Sequence, residues 1–157
     1  MKFLSPSMGT MTMETVFLVI KDYLDQYPDD DYRLIIGTDS QVKQQTLFVT
    51  AIIIHRVGKG ARYFYTRRKE RSMESLRQRM YYETSLSLDV ASKFTNLLSQ
   101  ANMEHIKLEI HLDIGTKGNT RSLIKELVGM VIGSGFAARI KPYSFGASSV
   151  ADKHTKH

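Results

Sequence analysis

The segment from residue 33 to residue 67 decides the fold class, and it reads RLIIGTDSQVKQQTLFVTAIIIHRVGKGARYFYTR. Apolar and β-branched side chains dominate residues 33–39 and 46–55, which predicts two buried strands. A turn that contains two glycines, at residues 57–60, leads into a third strand at residues 62–66. Because connections this short join antiparallel neighbours, the segment predicts a three-stranded antiparallel meander.

The rest of the chain alternates between helical and strand periods. The pattern predicts a helix at residues 13–24, a long helix at about residues 72–99, a strand at residues 107–114, a helix that ends at residues 133–135 and a short strand at residues 137–143. This order predicts an α/β fold with a mixed five-stranded sheet, made of the antiparallel meander plus two parallel strands, with helices packed on it. We expect residues 1–30 to form an extra N-terminal helical extension and residues 1–157 to form a single domain.

Length and composition exclude several classes of protein. The chain has 157 residues and no cysteine, which excludes a disulfide scaffold, a thiolate zinc site and a cysteine nucleophile. Its apolar runs are far shorter than the roughly 20 residues that span a bilayer, and its first residues lack the apolar stretch of a secretory signal. We therefore expect a cytoplasmic protein with no membrane partner. The sequence does not indicate an oligomeric state.

Positive charge is concentrated between residues 56 and 79. This segment holds nine basic and two acidic residues, a net charge of +7, whereas the whole chain carries +6. A clustered basic stretch is typical of a protein that binds a polyanion, although a solvated charged surface has the same composition. Tyrosines alternate with the charges, as in a half-buried strand or in a surface on which bases stack. The candidate nucleic-acid contacts are Arg67, Arg68, Lys69, Arg71, Arg77 and Arg79.

Three carboxylates interrupt the apolar pattern at topologically related places. Asp39 and Asp113 stand near the ends of two strands that would pair as parallel neighbours, with the long helix as the crossover between the meander and the second strand. Glu83 lies on the inward stripe of that helix, where an unpaired charge is costly. Converging carboxylates repel each other unless a divalent cation lies between them, and oxygen ligands suit Mg²⁺ or Mn²⁺. Two such ions about 3.5–4 Å apart can promote phosphodiester cleavage.

Three short stretches resemble a known family. They are IIGTDSQ at residues 35–41, HLDIG at residues 111–115 and ASSVADK at residues 147–153, and together they are similar to the YkuK-type family of uncharacterised bacterial proteins in the ribonuclease-H-like superfamily. The resemblance implies a ribonuclease-H-like fold with Asp39 as the first-strand acid, Glu83 as the first-helix acid and Asp113 as the fourth-strand acid. It further implies that Asp152 is the final acid, and that these four positions hold two divalent ions for nucleic-acid cleavage or strand transfer.

We therefore expect a metal-dependent nuclease that acts on RNA, DNA or an RNA/DNA hybrid. A non-catalytic nucleic-acid-binding module on the same fold is the main alternative, since the basic segment alone would supply affinity. An ATPase of the actin and hexokinase kind shares this topology, but its phosphate loop opens a hairpin, whereas LDIGT at residues 112–116 precedes a helix. Hydrolysis by serine and histidine would need a G-x-S-x-G turn, which no histidine here has beside it. His111 and His154 are possible accessory residues near the acids.

Overall fold

The computed structural model describes residues 1–115, 121–141, 143–144 and 154. Over these residues the strands are β1 (Lys2–Ser5), β2 (Gly9–Thr12), β3 (Tyr32–Val42), β4 (Gln45–Arg56), β5 (Gly60–Arg71), β6 (Leu108–His111) and β7 (Ala137–Arg139). The helices are α1 (Met13–Gln26), α2 (Leu76–Gln100) and α3 (Ile124–Gly133), and the 3₁₀-helix Arg121–Leu123 precedes α3. Within these ranges, no helix combines the length and the hydropathy of a membrane span.

One mixed sheet contains all of these strands, in the order β2-β1-β5-β4-β3-β6-β7. β3, β4 and β5 pair as the predicted antiparallel meander. β6 lies parallel to β3, with Ile110 opposite Ile36, and β7 lies parallel to β6. The predicted α/β class, the meander and the two parallel strands are therefore confirmed. Because β3 and β6 are parallel neighbours, with α2 as the crossover from β5 to β6, the carboxyl ends of β3 and β6 meet at one edge of the sheet.

The N-terminal segment differs from the prediction. α1 is present, but residues 2–12 form the β1–β2 hairpin instead of a helical extension, so the described sheet has seven strands and not five. Gly9 adopts a φ of +75°, a left-handed conformation that glycine allows at this turn. Phe3 and Met11 pair across the hairpin and are buried in the core. Strands of four residues are too short for a two-residue period to stand out, which is why the sequence pattern does not reveal them.

Strand pairing and capping set the boundary between β5 and α2. β5 continues beyond the predicted end at residue 66, because its register with β4 runs unbroken to the pair Gln45 and Arg71. Ser75 Oγ then accepts a hydrogen bond from the backbone N–H of Gln78 at 3.2 Å, so α2 begins at Leu76 and not at residue 72. The charged residues at the end of β5 are therefore strand residues, whose side chains alternate between the two faces of the sheet.

The helices cover one face of the sheet, which we call the inner face. The even-numbered residues of β3, β4 and β5 lie on it, and Leu34, Ile52 and Phe64 join a core cluster with Val90 and Phe94 of α2. These side chains are almost completely buried. Each contributes about 1.5–3 kcal/mol relative to an exposed position, so this layer holds α2 against the sheet.

The odd-numbered residues of the same strands lie on the opposite face, which we call the outer face. Ile35, Ile53 and Tyr63 form a small separate cluster there. By the same alternation, Asp39 lies on the outer face, whereas its neighbour Ser40 lies on the inner face beneath α2. The candidate acids thus approach one another near the carboxyl end of β3 from different layers of the fold.

Candidate functional site

Hydroxyl groups replace hydrocarbon side chains where α2 crosses the carboxyl-terminal half of β3. Thr38 Oγ1 lies 2.7 Å from Ser87 Oγ of α2 and 2.9 Å from Thr50 Oγ1 of β4, and all three residues are buried. Buried hydroxyl groups must be hydrogen-bonded to avoid a desolvation penalty, so these bonds fix the position of α2 along the sheet. Glu83, one turn before Ser87, is thereby directed at the end of β3.

Glu83 is half-buried and is held by a strand residue. Ser40 Oγ donates a hydrogen bond to Glu83 Oε2 at 2.5 Å. Burial raises the pKa of Glu83 to about 8, and repulsion from Asp39 and Asp113 adds to this rise, while the Ser40 hydrogen bond and the charge of Arg79 oppose it. The electrostatic coupling agrees with the predicted convergence of the three acids. At pH 7 this glutamate is mostly protonated.

Asp113 lies just beyond β6 and is paired with a lysine that the sequence analysis does not identify. Lys141 Nζ lies 2.9 Å from Asp113 Oδ1. The hydrogen bond to Asp113 and its negative charge raise the pKa of Lys141, and the charge of Asp39 adds to this rise. The backbone N–H of Lys141 also donates to the carbonyl of Ile114 at 2.8 Å. The sequence places Lys141 inside the strand predicted at residues 137–143, whereas β7 ends at Arg139 and Lys141 lies just beyond it.

His111 takes part in a network on the outer face. Its Nε2 lies 2.7 Å from Glu109 Oε1, and Arg33 donates to both carboxylate oxygens of Glu109. Burial opposes ionisation of Glu109, but the hydrogen bonds from His111 and Arg33 outweigh it and lower the pKa of Glu109 to about 2. The His111 ring is completely buried, and its Nδ1 has no hydrogen-bond partner among the described residues. The structure thus places this predicted accessory residue in an internal ion-pair network beside the acids.

A small cavity lies between α2, β3 and β6. Its volume is about 10 Å³, and Glu83 and Asp113 line it together with Thr38, Ser87 and His111. That volume is about what one water molecule needs, and the lining supplies several hydrogen-bonding groups. Glu83 and Asp113 therefore border a common space, which Met80 and Leu112 also line.

The acids provide the oxygen ligands of a divalent-metal site, but the described side chains are too far apart for three of them to hold one ion. Carboxylate oxygens are the ligands that Mg²⁺ prefers. Among the described residues, no three His, Asp or Glu side chains are grouped closely enough to hold a metal ion. Oxygen atoms that a metal would need are engaged by Lys141 on Asp113 and by Ser40 on Glu83. Asp152, the fourth predicted acid, lies outside the described residues.

The predicted basic contacts divide between the two faces of the sheet. Arg67, Lys69 and Arg71 occupy alternate positions on the outer face of β5, in line with Tyr63 and Tyr65. All three cations are exposed, and the two tyrosines are half-buried. These five residues, which we call the outer row of β5, form a continuous strip of rings followed by charges.

The other three predicted contacts lie on the helical side of the sheet, and acids pair with two of them. Arg68 Nε donates to Glu70 Oε1 at 2.8 Å, and Arg77 Nη2 donates to Glu126 Oε2 of α3 at 2.9 Å. Arg79 is half-buried on α2 and lowers the pKa of Glu83 by its charge. Arg68 and Arg77 are exposed, but these three side chains lie on the helical side and do not continue the row of cations on the outer face.

His154 lies against the outer row of β5. Its imidazole stacks on the Tyr65 ring, with 3.8 Å between ring centroids and 13° between planes, and its Nε2 lies 3.0 Å from the Tyr63 hydroxyl. Arg67 Nη2 donates to the His154 carbonyl at 3.4 Å. The structure places this predicted accessory residue on the outer face of β5, against the two tyrosines. The alternation of tyrosine and arginine at residues 63–67 is the sequence signal for this surface.

An antiparallel meander followed by parallel strands, with carboxylates at the ends of β3 and β6 and on α2, is the arrangement that the sequence resemblance implies. A family model described as ribonuclease H-like matches residues 15–156, and the chain therefore belongs to the ribonuclease H-like family. A relative, "Uncharacterized protein YkuK" from Bacillus subtilis (strain 168), is 38% identical over 166 residues, which cover 98% of this chain and 96% of the relative. No solved structure gives a significant match to this chain.

Proposed function

We propose that this protein is a divalent-metal-dependent nuclease that cleaves phosphodiester bonds in RNA, DNA or an RNA/DNA hybrid. Asp39, Glu83, Asp113 and Asp152 would hold Mg²⁺ or Mn²⁺. The observation that carries the proposal is the half-buried Glu83, whose pKa is raised to about 8 beside two further acids. Such an arrangement destabilises the ionised glutamate, and perturbed carboxylates of this kind are typical of functional sites.

The chain's own residues would prepare the site in three ways. Ser40 holds one oxygen of Glu83 and so orients the carboxyl group toward the ends of β3 and β6. Lys141 neutralises part of the charge of Asp113 in the absence of an ion. The small cavity between Glu83 and Asp113 leaves room for a small oxygen ligand. When bound, the metal pair would supply Lewis-acid activation of water and stabilisation of the leaving oxygen.

A nucleic-acid-binding module without catalysis is the second candidate. Lys141 and Ser40 already satisfy part of the acid cluster, so the fold does not need a metal to hold Asp113 and Glu83 in place. The exposed cations on β5 would supply affinity by themselves. The nuclease is the better-supported candidate, since a binding surface on β5 gives no reason for acids that repel one another on α2 and near the carboxyl ends of β3 and β6.

The decisive experiment compares cleavage by wild type and by Asp39→Asn with that by Asp22→Asn, a control at an exposed acid on α1. End-labelled RNA, DNA and hybrid are incubated with Mn²⁺, with Mg²⁺ or with a chelator. We expect metal-dependent products from wild type and from Asp22→Asn, and none from Asp39→Asn. Equal cleavage by all three proteins would refute the site. Binding of the same substrates without any cleavage, at every metal concentration, would select the binding module.

A further inference from the structure

The outer row of β5 has a spacing and a charge that suit an extended polyanion. Its side chains recur at every second residue of a strand, which places neighbours about 6.7 Å apart. On the adjacent strand β4, apolar residues lie opposite, with Leu47 beside Lys69 and Val49 beside Arg67. Within the described part of the chain, the three cations of the row form no ion pair with an acid. Like charges in line repel each other, and a row of phosphates would relieve that repulsion.

The contact with His154 shows what kind of group the tyrosines of the row accept. A planar heteroaromatic ring stacks on Tyr65, a ring nitrogen meets the Tyr63 hydroxyl, and Arg67 binds an adjacent carbonyl oxygen. A nucleobase presents the same features, namely a flat π surface, ring nitrogens and carbonyl oxygens. Stacking of a base on an aromatic side chain tolerates any base, because every base has such a surface.

We propose that single-stranded nucleic acid lies along the outer row of β5, with one base on Tyr65 in place of His154 and its phosphates at Arg67, Lys69 and Arg71. The bases of a duplex are already stacked and paired, so they cannot lie flat on Tyr65, and the surface selects single strands. This inference rests on the proposed function for the identity of the ligand as a nucleic acid. It names the form of the nucleic acid and the path that it takes.

The path leads toward the candidate acids. In the sheet register Arg67 lies opposite Val49, and Val49 lies opposite Asp39. Neighbouring strands are about 4.8 Å apart, so Arg67 and Asp39 are separated by roughly 9.6 Å on the same face. A strand bound along β5 would therefore place its backbone roughly 10 Å from Asp39.

The test measures binding alone, in a chelator, so that a failure of cleavage does not affect it. A single-stranded oligonucleotide that contains 2-aminopurine is titrated into wild type, into Tyr65→Ala and into Tyr143→Ala, a control at an exposed tyrosine beyond β7. We expect quenched fluorescence with wild type and with the control, and a roughly fivefold to hundredfold weaker affinity with Tyr65→Ala. A matched duplex should bind more weakly than the single strand. Equal affinity of all three proteins, or preference for the duplex, would overturn the proposal.

Two further measurements keep the proposal testable if Tyr65→Ala does not fold. The slope of log affinity against log salt is negative. Each of Lys69→Ala and Arg71→Ala should reduce its magnitude by about 0.7, whereas Lys93→Ala on α2 should leave it unchanged. In wild type, stacking on Tyr65 should shift the resonances of the His154 ring protons, and saturation with oligonucleotide should move them to the positions of an unstacked histidine. Unchanged salt slopes would refute the phosphate contacts at Lys69 and Arg71, and His154 resonances that stay in place at saturation would refute the displacement of His154 by a base. Either result would overturn the proposal.

Discussion

Replacing Glu83 by glutamine should stabilise the protein, and the gain should grow as the pH rises. Glutamine keeps the size of the side chain and an oxygen that accepts from Ser40, but it carries no charge. The folded protein raises the pKa of Glu83 from 4.5 to about 8, so between these values the native state holds a proton that the unfolded chain has lost. The free energy of unfolding of wild type therefore falls with rising pH across this range.

The magnitude follows from the same pKa. A rise from 4.5 to about 8 corresponds to about 5 kcal/mol at most, reached above pH 8. Because Glu83 keeps some contact with solvent, we expect a difference of about 2–4 kcal/mol between Glu83→Gln and wild type at pH 8 and less than about 1 kcal/mol at pH 5. For a chain of this length, the difference at pH 8 raises the melting temperature by about 4–16 °C.

The assay is urea denaturation of both proteins at pH 5, 6.5 and 8 in the presence of a chelator. Glu74→Gln, at an exposed glutamate just before α2, is the matched control and should stay within about 0.5 kcal/mol of wild type at every pH. A Glu83→Gln protein that is less stable than wild type at pH 8 would refute the reasoning. So would a difference between the two proteins that does not change with pH.

Three further predictions concern single side chains of the same region. Asp39→Asn should leave the melting temperature unchanged or raised, because it removes a charge from a repelling group, and a large decrease in calorimetry would assign Asp39 a structural role. Lys141→Ala should lower the free energy of unfolding by no more than about 1 kcal/mol, yet strengthen Mn²⁺ binding in titration calorimetry, since the lysine competes for Asp113; weaker binding would contradict this competition. Glu109→Gln should cost about 2–3 kcal/mol at pH 7, where the native carboxylate is paired, and this loss should vanish as the pH falls from 4.5 to about 2. A loss in urea denaturation that is equal at pH 7 and at pH 2.5 would exclude the ion-pair explanation.

The parts of the fold that could be predicted are those in which local pattern and tertiary environment agree. The β-branched run of β4 fills the centre of the sheet, and the stripe of α1 faces the core over the predicted residues. Charged residues 67–71 show no strand pattern, and only their pairing with β4 makes them part of β5. The boundary of a strand is thus decided by its neighbour when its own side chains are solvated.

The candidate site was predictable to a similar extent. The break that Glu83 makes in an apolar stripe, together with strand-end acids at Asp39 and Asp113, predicts that they interact, and both aspartates raise the pKa of Glu83. The partners of these acids could not be predicted. Ser40 contacts Glu83 across 43 residues of sequence, and Lys141 contacts Asp113 across 28. Local periodicity carries no information on such contacts, and neither residue breaks a pattern on its own strand or loop.

Because β1 is short, part of the edge of β5 has no neighbouring strand in the described structure, and this affects the tendency of the protein to aggregate. β1 pairs with β5 at Leu4 and Tyr65, and the antiparallel register runs out near Lys2 and Arg67. In the described structure, residues 68–71 therefore form an open sheet edge, where another chain could add a strand. Two copies that paired there would bring their arginines and lysines together. The repulsion protects the edge against aggregation, and salt, which screens exposed charges beyond about 10 Å at 0.1 M, weakens that protection.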